Sequence, residues 1–197
     1  MKYLENKILF LGNDTSPLLK WLISVEGFVM QTSEKITTEL IHSNNINFIV
    51  SYGYHHILGK DILDLLPDRA INLHVSYLPF NRGADSNFWS FVENTPKGVT
   101  IHYLDEGIDT GDVIVQERVE FDTKQETLAT SYEKLQLTIQ DLFKKNWQDI
   151  KTIRCKRQKQ VGNGTSHKVK DKINLNHLLE DGWDTLLCVL EEYSVDK

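Results

Sequence analysis

The chain has 197 residues, 40% of them hydrophobic, and 28 acidic against 22 basic side chains give a formal charge of −6. That length can bury one substantial core with a small appendage, and the acidic balance argues against a broad nucleic-acid footprint, which needs basic surface to meet phosphates. Two cysteines without metal-ligand or disulfide spacing, Cys155 and Cys188, point to a reducing compartment; no apolar run approaches the roughly 20 residues of a membrane helix, and the start MKYLENKILF lacks a secretory core, so a cytoplasmic protein is expected.

Short β-rich runs alternate with helical periods, the pattern of an α/β fold with a parallel sheet. Lys7–Leu11 reads as a buried strand and Pro17–Val25 as a helix whose first-turn proline suits its start. A second strand is predicted over Gly27–Thr32, a helix from Ser33 to His42, and a strong third strand over Ile46–Tyr52, ended by Gly53. A helix Gly59–Leu66 stops at Pro67, and Ala70–Val75 is the next strand. Asp85–Glu93 reads as a helix carrying Phe88, Trp89 and Phe91, followed by strands Val99–Leu104 and Val113–Val119. Apolar residues at Leu128, Tyr132, Leu135, Ile139, Leu142 and Phe143 recur in steps of three and four, marking an amphipathic helix from Thr127 to Trp147 that packs on the sheet. Residues 151–172 are basic and glycine-punctuated, a hairpin or an extended appendage, and Leu175–Leu190 reads as one or two short helices. The expected division is a catalytic domain over 1–150 and a C-terminal extension over 151–197.

Chemistry concentrates in residues 71–115. Asn72 and His74 lie two apart in an apolar strand, so both side chains leave the same face. Asp109 follows Asn72 by 37 residues, in a Gly-Ile-Asp-Thr-Gly loop before the next apolar run. An amide, an imidazole and a carboxylate at strand ends are equipment for acyl transfer. Singly, each has a plainer role: a strand-end Asn or His is commonly a satisfied edge group, and Asp109 suits a turn. The combination carries the functional reading.

The combination also resembles the folate-dependent formyltransferases. Their signature is matched by Asn72-Leu73-His74, Ser76-Tyr77-Leu78-Pro79, Arg82-Gly83, Gly98-Val99-Thr100-Ile101-His102 and Asp109-Thr110-Gly111. Within that family the chain is most similar to enzymes that N-formylate nucleotide-linked amino sugars, through Phe10-Leu11-Gly12-Asn13, Ser16-Pro17-Leu18, Asn81-Arg82-Gly83-Ala84-Asp85 and Gly164-Thr165-Ser166-His167. The resemblance implies a mainly parallel, Rossmann-like sheet flanked by helices, with a small C-terminal hairpin and helix extension. It also implies formyl transfer from 10-formyltetrahydrofolate, without a metal, to the amine of a dTDP-linked amino-dideoxy sugar of the kind used in lipopolysaccharide O-antigen. Glycinamide ribonucleotide or methionyl-tRNA are the alternative acceptors, and a catalytically silent folate or nucleotide binder is the alternative of another class.

The resemblance assigns roles. Asn72 donates to the oxygen of the attacked carbonyl, His74 accepts the amine's proton or donates once charged, and Asp109 holds that imidazole. Tyr54, His56, Ile57 and Leu58 correspond to the folate-pocket loop, closed on its other side by Glu106, Ile108 and Asp109. Asn81, Arg82 and Gly83 follow the catalytic strand and are placed at the acceptor, where a guanidinium suits phosphate or sugar oxygens; a structural turn is the alternative. His102 either assists in the same pocket or is a strand-surface histidine. Trp89 either stacks on a nucleobase or belongs to the core with Phe88 and Phe91.

Three departures bear on the acceptor. The Asn72–Asp109 interval is one residue shorter than in better-known members, a deletion placed in the turn 93–97. Leu11-Gly12-Asn13-Asp14 lacks the glycine-rich phosphate cradle of the glycinamide ribonucleotide enzymes, and no room remains for a tRNA-holding barrel. The apolar residues Leu178, Leu179, Trp183, Leu186, Leu187 and Val189 either form a homodimer surface or cap the domain's own core.

Overall fold

The computed structural model describes residues 6–195. Its centre is a six-stranded sheet in the order β2-β1-β3-β4-β6-β7. Strands β1 (Lys7–Gly12), β2 (Phe28–Thr32), β3 (Phe48–Tyr52) and β4 (Ala70–His74) are parallel, linked by helices α1 (Pro17–Val25), α2 (Thr38–Asn44) and the one-turn α3 (Lys60–Leu63). The short strand β5 (Arg82–Gly83) and helix α4 (Ser86–Val92) then lead to β6 (Gly98–Tyr103) and β7 (Val113–Arg118), which run antiparallel to their neighbours. Helix α5 (Leu128–Lys151) crosses back over the sheet. The chain finishes with a strand β8 (Ser166–His167), two 3-10 helices (Val169–Leu178 and Gly182–Asp184) and α6 (Leu187–Val195).

The continuous apolar runs of β1 and β3 follow from burial on both faces. Ile8 and Phe10 face Leu18, Leu22, Leu135, Ile139, Phe143 and Trp147 of α1 and α5. Leu9 and Leu11 face Ile41 and Ile62 of α2 and α3 on the other side. A third cluster joins α4 to the C-terminal helices through Phe88, Phe91, Leu128, Leu187 and Leu190. Trp89 belongs to it and is 7% exposed, so the core reading holds for that residue.

Two boundaries move for local reasons. Helix α2 begins at Thr38 rather than Ser33 because the Thr37 side chain caps it, accepting from the Leu40 N–H; it ends where Asn45 turns left-handed. Helix α5 continues past Trp147 because Ile150 extends the apolar stripe and is buried, while Lys151 Nζ pairs with Glu26 at 2.6 Å. Of the two readings of residues 151–172, the extended one describes the strap that runs from α5: Gln158 bridges to Val113, and β8 lies parallel to β5.

The α5 face of the core is anchored by Trp147. Its ring meets Phe48 edge-on at 5.4 Å and lies 5.0 Å from Phe143, and its indole N–H donates to Glu26 at 2.6 Å. Truncating a buried aromatic of this size costs about 3–5 kcal/mol, so Trp147→Ala is expected to lower the urea-derived unfolding free energy by that amount. A loss under about 1 kcal/mol would show that the helix is held elsewhere.

Candidate active site

The site forms where the parallel and antiparallel halves of the sheet meet. Asn72 and His74 point from the end of β4, and the antiparallel register sets His102 of β6 directly opposite Asn72. Between β6 and β7 the chain loops out and returns, with Asp109 at φ 52°. That return needs Gly111: a Cβ there would lie 1.8 Å from the Tyr103 carbonyl oxygen. The loop thereby carries Asp109 onto the face that bears Asn72, at a side-chain exposure of 12%.

Four groups converge on the Asp109 carboxylate. The Asn72 amide donates to Oδ1 at 3.2 Å, and the Gly83 backbone N–H donates to Oδ2 at 2.8 Å. His102 Nε2 lies 3.4 Å from Oδ1 and His74 Nδ1 lies 3.6 Å from Oδ2, the latter an ion-pair distance beyond hydrogen-bond reach. Burial pushes the carboxyl up, but the charge of His74, the hydrogen bond and charge of His102 and the Gly83 N–H outweigh it and hold Asp109 well below the usual carboxylate range.

The imidazoles are oriented by their second nitrogens. His102 Nδ1 donates to the Tyr103 carbonyl at 2.8 Å. Its Nε2 faces the Asn72 amide nitrogen across 3.3 Å and Asp109 Oδ1 across 3.4 Å, donating to the carboxylate when the ring is charged and accepting from the amide when it is neutral. His102 is thus built into the site rather than onto the strand surface, at 1% exposure. His74 Nε2 lies 3.1 Å from the Asn81 carbonyl oxygen, so His74 sits between two acceptors.

The turn after β4 explains the remaining motif residues. Thr100 Oγ1 donates to the Ser76 carbonyl at 2.7 Å and accepts from the Leu78 N–H at 3.1 Å, while Gln116 bridges Thr100 and the Leu78 carbonyl. Asn81, expected at the acceptor, is fully buried, and its side chain is consumed: it donates to Glu93 at 3.2 Å and accepts from Thr95 at 2.7 Å. Only its carbonyl meets the site. Gly83 is left-handed at φ 84°, and a Cβ would lie 2.3 Å from the His167 carbonyl oxygen. Arg82 is half-buried, and among the described residues it makes no ion pair; its Nε and Nη2 hold Gln160 Oε1 at 3.1 and 2.6 Å.

A Formyl transferase family model matches residues 23–145. The crystal structure of the formyltransferase PseJ from Anoxybacillus kamchatkensis, in complex with UDP-4,6-dideoxy-4-formamido-L-AltNAc and tetrahydrofolate, is similar at a TM-score of 0.90 and 46% identity, covering 96% of this chain and 100% of that one. The chain belongs to the formyltransferase family. A 4-N formyltransferase from Francisella tularensis shares the fold, with a TM-score of 0.73 at 22% identity over 96% of this chain and 86% of that one. Methionyl-tRNA formyltransferase of Halothermothrix orenii is 32% identical over 72% of this chain and 49% of that protein. The corresponding enzyme of Anaeromyxobacter sp. (strain K) is 49% identical over 41% of this chain and 27% of its own length. The chain thus spans about a quarter to a half of the length of these curated relatives.

A cleft of 380 Å³ lined by Lys60, Leu63, Asp64, Leu104, Asp105, Glu106 and Gly107 takes in one of the residues expected to enclose the folate, Glu106, which is exposed and within 3.4 Å of Lys60. Of the others, Ile57 and Ile108 stand 65% and 46% exposed, and Tyr54 meets the exposed His56 edge-on. Exposed apolar side chains of this kind suit a flat heterocycle. Leu58 differs: its side chain is buried in the core with Ile62 and Leu66 of the α3 region, so it does not cover the cleft. Among the described residues no group of His, Cys, Asp or Glu could hold a metal ion. No helix among them is long and apolar enough to cross a membrane.

Sequence reasoning did not single out Gln160, Glu93 or Thr95. Gln160 stands in a basic stretch with no periodicity to mark it, and Glu93 and Thr95 fall in the 93–97 turn, where they read as loop residues. His167 stacks on Trp89 at 3.9 Å and lies 3.2 Å from Glu93, an ion-pair distance without hydrogen-bond alignment.

Because the folded carboxyl of Asp109 ionises below the ~3.9 of an unfolded aspartate, its contribution to stability is fully present above pH about 4. Below that the unfolded chain takes up a proton that the folded chain refuses, and stability falls with pH. Asp109→Asn is therefore expected to flatten the loss of urea-derived stability between pH about 5 and about 3. An unchanged slope would place the acid sensitivity at other carboxylates.

Proposed function

We propose that this protein transfers the formyl group of 10-formyltetrahydrofolate to the amine of a nucleotide-linked amino sugar. The observation that carries the reading is Asp109 held between His74 and Asn72, in a chain similar over 96% of its length to PseJ, which was crystallised with a UDP-linked formamido sugar and tetrahydrofolate. That relative supports uridine diphosphate ahead of the dTDP expected from the motifs, and a 4-amino position ahead of a 3-amino one.

10-Formyltetrahydrofolate supplies an activated formyl carbonyl, whose bond to the folate nitrogen breaks as the bond to the sugar amine forms. Asn72 is the donor for the carbonyl oxygen as charge develops there, a contact worth about 3 kcal/mol in acyl-transfer sites. Its amide donates to Asp109 Oδ1 at 3.2 Å, with His102 Nε2 3.3 Å from the same nitrogen, so an amide proton changes partner when the carbonyl arrives. His74 takes the proton leaving the amine at Nε2 as the amine displaces the Asn81 carbonyl from that nitrogen, 3.1 Å away in the resting site, and its Nδ1–H then faces Asp109. The Asp109 carboxylate supports that charge. The proton then passes toward the folate nitrogen, and no covalent enzyme intermediate is needed because an amine is already a nucleophile.

Arg82 carries the acceptor's anion in this reading. Its Nε edge is held by Gln160, no carboxylate among the described residues neutralises it, and a guanidinium fork suits diphosphate oxygens. Tyr54, His56, Ile57, Leu58, Glu106 and Ile108 enclose the folate, with Leu58 contributing backbone. The two free cysteines support a reducing, cytoplasmic setting. Leu187 and Leu190 are spent on the protein's own core, which leaves Trp183, Leu186 and Val189 to support a homodimer; a monomer at high concentration in light scattering would end that reading.

The test is mass-spectrometric detection of formylated product from UDP- and dTDP-linked 4-amino and 3-amino sugars. The UDP-linked 4-amino sugar is expected to react fastest, His74→Ala to lower kcat on the order of 100-fold or more, and Asn72→Ala by about 100-fold. Formylation of glycinamide ribonucleotide or methionyl-tRNA instead would replace the acceptor. Folate binding without any product would make the protein a silent binder.

A further inference from the structure

The strap between α5 and β8 is pinned at both ends independently of its middle. At one end Gln158 exchanges backbone hydrogen bonds with Val113 at 2.7 and 3.0 Å, and the Arg157 guanidinium lies between Asp68 and Asp112. At the other, Arg82 N–H donates to the Thr165 carbonyl at 3.0 Å, Ala84 N–H to the His167 carbonyl at 2.9 Å, and Thr165 Oγ1 accepts from the Asn81 N–H at 2.9 Å. Gln160 lies between these anchors, and the strap has no need of it to stay in place.

Its side chain is nevertheless fully committed. Gln160 Oε1 accepts from Arg82 Nε and Nη2 at 3.1 and 2.6 Å, and Nε2 donates to the Asp109 and Gly111 carbonyls, both at 2.8 Å. An amide has two acceptor lone pairs and two donor protons, and all four are used. The partners are the two sides of the reaction: the guanidinium that faces the acceptor, and the left-handed loop residue whose carboxylate sits beside His74. Gly83, which separates them, closes the ring by donating from its N–H to Asp109 Oδ2.

We propose that Gln160 is a positioning residue, setting the Asp109 loop and the Arg82 guanidinium relative to each other so that the acid supporting His74 and the cation facing the acceptor's diphosphate are aligned as one unit. Only this side-chain type meets the demand at this position. Glutamate keeps the acceptors for Arg82 but sets oxygen against two carbonyls, asparagine is one methylene too short, and alanine releases both sides. A displacement on the order of 1 Å at such a site can cost about 100-fold in rate. The kinetic part of this inference rests on the proposed reaction; the structural part does not.

The two parts are separated by measuring amide hydrogen exchange and kinetics on Gln160→Glu and Gln160→Ala of the full chain. Three consecutive amides report on different bonds: Arg82 and Ala84 on the strap, Gly83 on Asp109. In both variants Gly83 exchange is expected to quicken by about tenfold or more while Arg82 and Ala84 stay protected. With the UDP-linked 4-amino sugar, Gln160→Glu is expected to lower kcat by about tenfold or more with KM within about threefold, and Gln160→Ala to raise KM as well. Quickened exchange at all three amides would show that Gln160 merely holds the strap down, and unchanged Gly83 exchange would show that it holds nothing in the site; either result overturns the proposal. Wild-type protein that formylates no nucleotide sugar would refute the reaction, while the exchange pattern would still decide the positioning role.

Discussion

An ionised carboxylate buried to 12% exposure is the constraint around which the site is built. Taking such a charge out of water costs several kcal/mol unless it is paired and hydrogen-bonded. Asp109 meets that condition with the Asn72 amide from β4, the Gly83 N–H from β5, His102 from β6 and the ring of His74. No single element supplies these partners, so the carboxylate can be buried only when the two halves of the sheet are already joined. Its low proton affinity is the electrostatic record of that assembly.

The change of strand direction at β4 and β6 makes the joining possible. A wholly parallel sheet would have to place a crossover between the two strands. The antiparallel pairing instead faces His102 with Asn72 and Thr100 with His74, and leaves the β6–β7 connection free to fold back over the site. Thr100 then braces the turn that follows His74, through the Ser76 carbonyl and the Leu78 N–H. Gly111 permits the tight return and Gly83 the close passage of the strap, each at a point where a Cβ would strike backbone oxygen. The strap completes the enclosure: Thr165, His167 and Gln160 reach the acceptor turn and the Asp109 loop from a segment that composition alone presents as a solvated basic stretch.

The elements were readable because burial patterns repeat within short windows. The unbroken runs of β1 and β3 and the stripe of α5 could each be assigned from neighbouring residues, with errors confined to ends set by a cap, as at Thr37, or by one further turn of burial, as at Ile150. The proposed catalytic trio was readable for a different reason: amide, imidazole and carboxylate are uncommon together at strand ends, and they match a family motif. Asn81 shows where such reading stops. Its position in the motif placed it at the acceptor, yet at 0% exposure its side chain is spent on Glu93, Thr95 and Thr165.

By itself, then, the sequence determined the order and type of the principal elements, the family, and Asn72, His74 and Asp109 as the proposed reacting set. Periodicity and residue chemistry are local properties, available without knowing what a segment touches. Only the tertiary structure decided that His102 shares the Asp109 carboxylate, that Trp89 is core, that Leu58 turns into the core, and that Gln160 ties Arg82 to the Asp109 loop. Gln160 and Arg82 are 78 residues apart and belong to segments with no common period. Contacts of that kind are selected by how packed layers bring loops together, a property of the whole chain that no window along it contains.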